Sequence, residues 1–395
     1  MKAAVRYGAD AVYLSGRAYG MRAACENFDL PQIRDAVAYA HAAQVKVYLA
    51  VNIMPHDREY PGLQEFFTQL SDIRLDGLIV ADLGVMSLAK EMLPHIPLHI
   101  STQANVLSAS ACRAYAALGA QRIILGRELS LAEIRNIRRA VPEDLELECF
   151  VHGSMCMAYS GRCLLSSHFT GRDANRGACA QPCRWKYRIR NTPWELVEEK
   201  RPDDPLPITE ENGETFVMSS RDTCMIAHIP ELIEAGIDSF KLEGRVRSAY
   251  YTAVVTNTYR MAIDAYVSGE RETDPRWIRE LDSVSHRPYH TGFFYDRPSE
   301  CANTEEGASP SSGRLFLADI VSYDPERGEA KMRQQNKFSR GDAVEILQPG
   351  KTGRSFHVEA LFDEAHLPLE AVPHPHMPFF IKVPFPPVRR RRRNA

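Results

Sequence analysis

Four times in this chain a polar turn holding glycine leads straight into a short β-branched run. Tyr7-Gly8-Ala9-Asp10 precedes residues 11–14, and Leu75-Asp76-Gly77 precedes residues 78–82. Leu118-Gly119-Ala120-Gln121 precedes residues 123–127, and Ala235-Gly236-Ile237-Asp238 precedes residues 240–243. An amphipathic helical stretch comes before each turn, and glycine supplies the left-handed residue that stops a helix. Further strands are predicted at residues 45–51, 98–102 and 145–151. Helices alternating with single buried strands imply a parallel sheet. This many units favours a closed (β/α)8 barrel of the TIM type over an open doubly wound sheet. Met1-Lys2-Ala3-Ala4-Val5 reads as a helix with no strand before it. The barrel is therefore predicted to lack its first strand, which exposes two sheet edges.

A chain of 395 residues is long enough for two domains. Residues 192–214 are acidic and proline-rich, an excursion between β-like runs at 185–190 and 216–219 that are expected to pair as a hairpin, the second run reading alternatively as a barrel strand. A second break, enriched in Ser, Pro and Gly, runs from 297 to 313. Beyond it, residues 315–323, 329–333, 343–347 and 356–361 alternate like strands of a small β-barrel. The expected division is a barrel over 1–292, with cysteine loops at 156–183 and the excursion at 192–214. A β domain follows over 313–388, then an arginine-rich tail over 389–395.

No apolar run approaches the ~18 residues of a membrane span, so no membrane partner is expected. No targeting segment is visible, which makes the cytoplasm the default location. The net charge of −3 gives no general attraction for polyanions. Charge is unevenly placed, however. Between residues 160 and 190, Arg162, Arg172, Arg176, Arg184, Lys186, Arg188 and Arg190 face one acid, Asp173, with Trp185 and Tyr187 interleaved. Basic side chains meet phosphates and aromatic faces stack on splayed bases, so this stretch reads either as an RNA-facing patch or as a solvated loop.

Four cysteines fall in the same stretch as Cys156-x6-Cys163-x15-Cys179-x3-Cys183. A reducing compartment argues against disulfides. A structural zinc is one reading, although zinc sites usually come as two tight CxxC knuckles. The uneven spacing suits a [4Fe–4S] cluster, which accepts thiolates from separated loops. Of the other cysteines, Cys112 and Cys149 read as small core residues, and Cys224 is the reserve ligand.

In a parallel barrel, function collects where strands end at the C-terminal face. The polar residues at those ends are Asn52, His56, Asp82, Gln103, Asn105, Arg127, Glu128, His152, Lys241, Glu243 and Arg245. For any one of them the alternative is a cap or a supporting hydrogen bond.

Glu148-Cys149-Phe150-Val151-His152-Gly153-Ser154-Met155-Cys156, followed by Gly161-Arg162-Cys163-Leu164-Leu165-Ser166, resembles the signature of peptidase family U32. Asn175-Arg176-Gly177-Ala178-Cys179 with Gln181-Pro182-Cys183-Arg184-Trp185 resembles the family's second cysteine pair. Phe240-Lys241-Leu242-Glu243-Gly244-Arg245 is similar to its FKIEGR segment, and Asn336-Lys337-Phe338-Ser339-Arg340-Gly341-Asp342 to its C-terminal domain. Relatives usually open with a strand and a Pro-Ala-Gly turn, both absent here.

Despite the family name, the resemblance implies an iron–sulfur protein of a hydroxylation pathway. One branch converts the wobble uridine of tRNA to 5-hydroxyuridine, and others act in ubiquinone biosynthesis or on ribosomal RNA; the tRNA branch is the nearest in wording. It implies tRNA as partner, no DNA, and a paralogous U32 subunit as a further candidate partner. It also implies prephenate as the source of hydroxylation, with Arg127, Lys241 and Arg245 suited to its two carboxylates. On that reading Lys241, Glu243, Arg245 and His152 are the catalytic candidates. Arg127, Gln103, Asn52, Arg184, Trp185 and Lys186 are the substrate-binding ones, and Cys156, Cys163, Cys179 and Cys183 hold the cluster. A peptidase is the second reading: His152 stands four residues before Cys156, but no HExxH motif is present and four clustered cysteines are superfluous to a thiol protease. A non-catalytic scaffold that binds RNA or a partner, and uses the metal for folding, is the third.

Overall fold

The computed structural model of the chain describes residues 1–20, 27–155, 160–163, 165–184, 195–198, 201–207, 209–211, 214–216, 221–245, 247–295 and 314–387. Two compact units emerge. Apart from Met1, the first comprises Asp10–Arg247 and His286–Ser309, and the second comprises Lys2–Ala9, Ser248–Ser285 and Pro310–Ala395.

In the first unit six strands pair side by side in parallel: β1 (Ala11–Ser15), β2 (Lys46–Val51), β3 (Gly77–Val80), β4 (Leu98–Ile100), β5 (Ala120–Ile124) and β6 (Glu146–Ser154). The Ser239–Leu242 strand continues the parallel order beyond β6. The far end of β6 also pairs, antiparallel, with Asp222–Cys224, which carries the short Tyr289–His290 strand. Helices α2 (Leu30–His41), α3 (Tyr60–Leu70), α4 (Leu83–Met92), α5 (Ala109–Ala117) and α6 (Leu131–Ala140) connect β1 through β6. This is the parallel α/β barrel architecture that the repeated turns predict. Among the described residues β1 and Ser239–Leu242 share no hydrogen bonds, so the ring of strands stays open there.

Local chemistry explains the boundaries. Asp29 and Ser130 close capping boxes with Gln32 and Glu133 at the starts of α2 and α6. Gly119 and Gly236 take φ values of +102° and +76° where helices stop, a region costly for residues bearing a Cβ. Leu131, Ile134 and Ile137 form the buried stripe of α6. From Val47 to Val51 every residue of β2 is buried, as expected of a parallel strand covered on both faces.

The acidic excursion folds differently from expectation. Its described parts are two hairpins, Glu195–Glu198 with Arg201–Pro207 and Thr209–Glu211 with Glu214–Phe216. Phe216, expected to pair with residues 185–190, pairs instead with Thr209, because closing a short loop costs less entropy than closing a long one. Residues 185–190 and 217–219 lie outside the described residues.

The second unit contains α1 (Lys2–Arg6), the long α9 (Ala249–Val267), α10 (Pro275–Leu281) and the C-terminal β domain. Ala318–Asp324, Glu329–Gln334, Pro378–Lys382, Leu361–Phe362 and Pro368–Leu369 form an antiparallel sheet. Its core holds Met332, Phe338, Leu361, Phe379 and Ile381. Ala343–Gln348 pairs with Lys351–His357, so the strand expected at 356–361 begins earlier. Gly350, at φ +75°, makes the tight turn that sets that register. No helix among the described residues is long and apolar enough to cross a membrane.

Candidate functional site

Two aromatic rings organise the interior of the barrel. Tyr13 on β1 and Phe150 on β6 pack against the inward residues Tyr48, Ala50, Ile79 and Ile124. Three cations converge on these rings. The Arg127 guanidinium lies 3.9 Å over Phe150. Lys241 Nζ lies 4.5 Å from the Tyr13 centroid and 5.5 Å from that of Phe150. Arg245 lies 5.5 Å over Tyr13. The negative faces of the rings attract cations most strongly where water is excluded.

Lys241 also enters a buried ion network. Its Nζ donates to Glu148 Oε1 at 2.8 Å, while Arg122 Nη1 and Ser239 Oγ donate to Glu148 Oε2 at 3.0 and 2.9 Å. Burial alone would raise the Glu148 carboxyl. Lys241 and Arg122 outweigh it and pull its pKa down to about 2. Arg122 further bonds Glu146 and lies 4.9 Å from the Tyr48 ring, against which His99 packs edge-on. Burial, then the positive Arg122, lowers the His99 pKa to about 3, so this imidazole is neutral.

Arg245 differs from Lys241. Its Nε and Nη1 are buried, yet no hydrogen-bond partner for either exists among the described residues. Its backbone N–H donates to Glu243 Oε1 at 3.1 Å. Leaving a charged donor buried and unpaired costs free energy that an anionic ligand would recover. Asn105 Nδ2 is in the same position, on a residue with φ +53°, uncommon outside glycine.

The cysteine loops fasten to the loops at the C-terminal ends of the strands. Ser160 N–H donates to Glu128 Oε1 at 2.6 Å, and Thr102 Oγ1 donates to Ser160 Oγ at 3.4 Å. Gly161, at φ +74°, lies so close to the Gln103 carbonyl that a Cβ would collide with it. Further along, Arg176 donates to the Met54 carbonyl at 2.8 Å and to Glu59 Oε2 at 2.6 Å. The short helix α7 (Leu165–Thr170) joins the two cysteine stretches, with Ala180 N–H donating to Ser166 Oγ at 2.9 Å.

Cys163, Cys179 and Cys183 are half-buried in these loops, and Gln181 N–H donates to Cys179 Sγ at 3.4 Å. Thiolates are soft donors, the ligand type that an iron–sulfur cluster takes. Cys156 lies outside the described residues. Among those described, no three His, Cys, Asp or Glu side chains gather closely enough to hold a metal ion.

The other expected residues divide by environment. Asn52 is buried and donates to Ser101 Oγ at 3.1 Å. Asp82 caps α4 through Val85 N–H and accepts from Tyr60 Oη, and the His56 N–H is capped by Glu59. Gln103 lies in the turn under Gly161. His152 is fully buried beside Tyr289; burial, then His286 and Arg247, lowers its pKa to about 3. Cys224 sits opposite His152 in the sheet register. Cys112 and Cys149 are core residues whose thiol pKa values burial pushes up. Arg184 ends the Pro182–Arg184 turn, while Trp185 and Lys186 lie outside the described residues. Sequence reasoning did not single out Tyr13, Phe150, Arg122 or Glu148 as site residues. Of these, charged Arg122 and Glu148 inside buried strands were the available signal, since such residues are seldom buried unless paired.

Three relatives extend along most of the chain. The tRNA hydroxylation protein P1 of Bacillus subtilis is 35% identical over 377 residues, covering 95% of this chain and 87% of the relative. The tRNA hydroxylation protein P of Escherichia coli is 34% identical, covering 88% of this chain and 84% of the relative. The 23S rRNA 5-hydroxycytidine C2501 synthase of Escherichia coli is 35% identical, covering 87% of this chain but 50% of the relative. The model of peptidase family U32 matches residues 1–304 and that of the U32 C-terminal domain matches residues 313–391, so the chain belongs to peptidase family U32.

Proposed function

We propose that this chain is an RNA hydroxylase that converts the wobble uridine of tRNA to 5-hydroxyuridine in the cytoplasm. The observation that carries the reading is similarity over nearly the full chain to proteins named for tRNA hydroxylation. The similarity to a ribosomal RNA hydroxycytidine synthase supports RNA as the broader substrate class and keeps ribosomal RNA as the second reading.

The barrel mouth supports a small dianionic co-substrate such as prephenate. Arg245 holds buried N–H donors without a partner among the described residues, and Arg127 lies over Phe150. A guanidinium pairs with a carboxylate through two parallel bonds, so these two arginines orient a dicarboxylate over the Tyr13 and Phe150 rings. Lys241, committed to Glu148, adds positive potential beneath it. Cys156, Cys163, Cys179 and Cys183 would hold a [4Fe–4S] cluster, which supplies electron transfer when bound. Their loops, fastened through Ser160, Gly161 and Arg176, exclude water from the mouth on this reading. A uridine must leave its stack to reach such a centre. Arg184 and Lys186, with Trp185 between them, are the candidate contacts to the flanking nucleotides.

Mass analysis of tRNA nucleosides from a strain lacking this chain and any paralogue tests the proposal. Loss of 5-hydroxyuridine derivatives, restored by the wild-type chain, is expected. Full retention of those derivatives alongside loss of a hydroxylated ribosomal nucleoside would transfer the assignment to ribosomal RNA.

A further inference from the structure

An open groove of about 620 Å³ lies in the second unit, between α9, α10 and the Lys351–His357 strand. Its floor is apolar, formed by Met261, Trp277 and Phe385. Its rim carries Arg276, Lys351 and Arg354. Arg276 is neutralised by Asp274, whose carboxylate lies 2.6 Å away. Lys351 and Arg354 are exposed, and neither has a carboxylate partner among the described residues. Elsewhere in the same β domain Lys331 pairs with Glu364, Arg333 with Asp319, and Arg340 with Glu370, whereas Lys337 and Lys382, which do not line the groove, also lack such a partner among the described residues.

The backbone that presents them is held rigidly. Asn257, fully buried on α9, accepts from Gly350 N–H at 2.7 Å and donates to the Lys351 carbonyl at 2.8 Å. Glu280 on α10 accepts from Gly353 N–H at 3.2 Å, and a Cβ at Gly353 would collide with the Glu345 carboxylate. Buried polar side chains spent on fixing one turn pre-pay the entropy of ordering the residues it displays. Arg354 is held further by its guanidinium, which lies 4.0 Å over the Phe385 ring.

We propose that this groove is a second RNA-binding site, in which Lys351 and Arg354 contact consecutive phosphates of the substrate and the apolar floor receives a ribose or base. The inference rests on the RNA reading above and adds to it a site for the parts of the RNA that are not modified. A phosphodiester fits better than an acidic peptide because fixed cations over an apolar floor match a ligand that alternates charge with flat apolar groups.

The test compares full-length wild type with the double variant Lys351→Glu/Arg354→Glu, measuring affinity for unmodified tRNA transcript from 50 to 300 mM salt. The variant should bind about tenfold more weakly at 0.1 M salt, with a salt slope shallower by roughly 1.4 to 1.8, the value for two lost phosphate contacts. Its thermal midpoint should stay close to wild type, since Lys351 has no ion pair among the described residues and Arg354 loses only its stack over Phe385. Unchanged affinity and slope in a variant of normal midpoint overturn the inference while leaving the RNA reading intact. Failure of wild type to bind any RNA overturns both. Polyglutamate that displaces tRNA as well as unlabelled RNA does would overturn the nucleic-acid assignment of the groove. If the charge reversals lower the midpoint, Lys351→Gln/Arg354→Gln carries the same comparison, with a smaller expected loss.

Discussion

Lys241 Nζ donates to Glu148 Oε1 at 2.8 Å where neither residue is more than 8% exposed. Glu148 is shared with Arg122, which has a second carboxylate in Glu146, whereas Lys241 has Glu148 alone among the described residues. The two ends of the network should therefore respond unequally to substitution. Glu148→Gln strips buried Lys241 of its carboxylate while Arg122 keeps Glu146, and should cost about 3–5 kcal/mol, whereas Lys241→Met leaves Glu148 paired with Arg122 and should cost less. Urea unfolding of the two variants checks the ranking. Equal losses would mean that Arg122 does not hold Glu148 alone.

Acid should weaken this fold well before its carboxylates titrate. His99 and His152 have pKa values lowered to about 3, against ~6.5 in an unfolded chain. Between those values the unfolded chain binds more protons, so stability falls as pH drops below about 6.5, by up to ~1.4 kcal/mol per pH unit per histidine. Glu148, with a pKa lowered to about 2, contributes stability that is present above its unfolded value and lost only as pH falls from ~4.3 towards 2. Urea midpoints at pH 7.5, 6.0 and 5.0 should show the earlier loss, and His99→Asn should flatten it by about one proton. A pH-independent midpoint over that range would contradict the neutral, buried state of both rings.

Four of the barrel strands were readable because a glycine turn leads into each, as at Gly119 and Gly236. The floor of the mouth was not. Tyr13 and Phe150 sit in strands covered on both faces, where alternation does not separate the side facing the ring interior from the side facing the helices. For the same reason Lys241 read as a strand-end cation free to meet substrate, whereas its side chain turns inward to Glu148. Arg245, three residues past the Ser239–Leu242 strand, escapes that register and keeps donors without a partner among the described residues. The acidic excursion was visible in composition, but pairing inside it depends on turn geometry that composition does not carry.

Arg245 is the cation best placed to distinguish co-substrate binding from RNA binding. Arg245→Ala should lower kcat/KM for the dicarboxylate about 100-fold, through lost charge-assisted bonds, and leave tRNA affinity within about twofold. Arg245→Lys keeps the charge but loses the fork, and should recover little of the activity. Steady-state kinetics with either component varied, together with tRNA binding at fixed salt, gives both readouts. Equal losses in tRNA affinity and turnover would move Arg245 from the co-substrate to the RNA.

Gly161 offers a way to disturb the cysteine loops without touching a sulfur. At φ +74°, with a Cβ that would collide with the Gln103 carbonyl, an alanine there is strained twice over, by its own backbone and by its neighbour. The loop between Ser160 and Cys163 must shift, and the shift acts on Cys163, two residues on. Anaerobically purified Gly161→Ala should hold at most about half the wild-type iron and show a matching loss of visible absorption near ~400 nm, where thiolate-to-iron charge transfer falls. Serine at Cys156, Cys163, Cys179 or Cys183 should remove the colour altogether. Serine at Cys112, fully buried in α5, should leave it intact and cost only stability. A Gly161→Ala protein with full iron would mean that the cysteine loops are positioned by α7 and Arg176 rather than by their contact with Gln103.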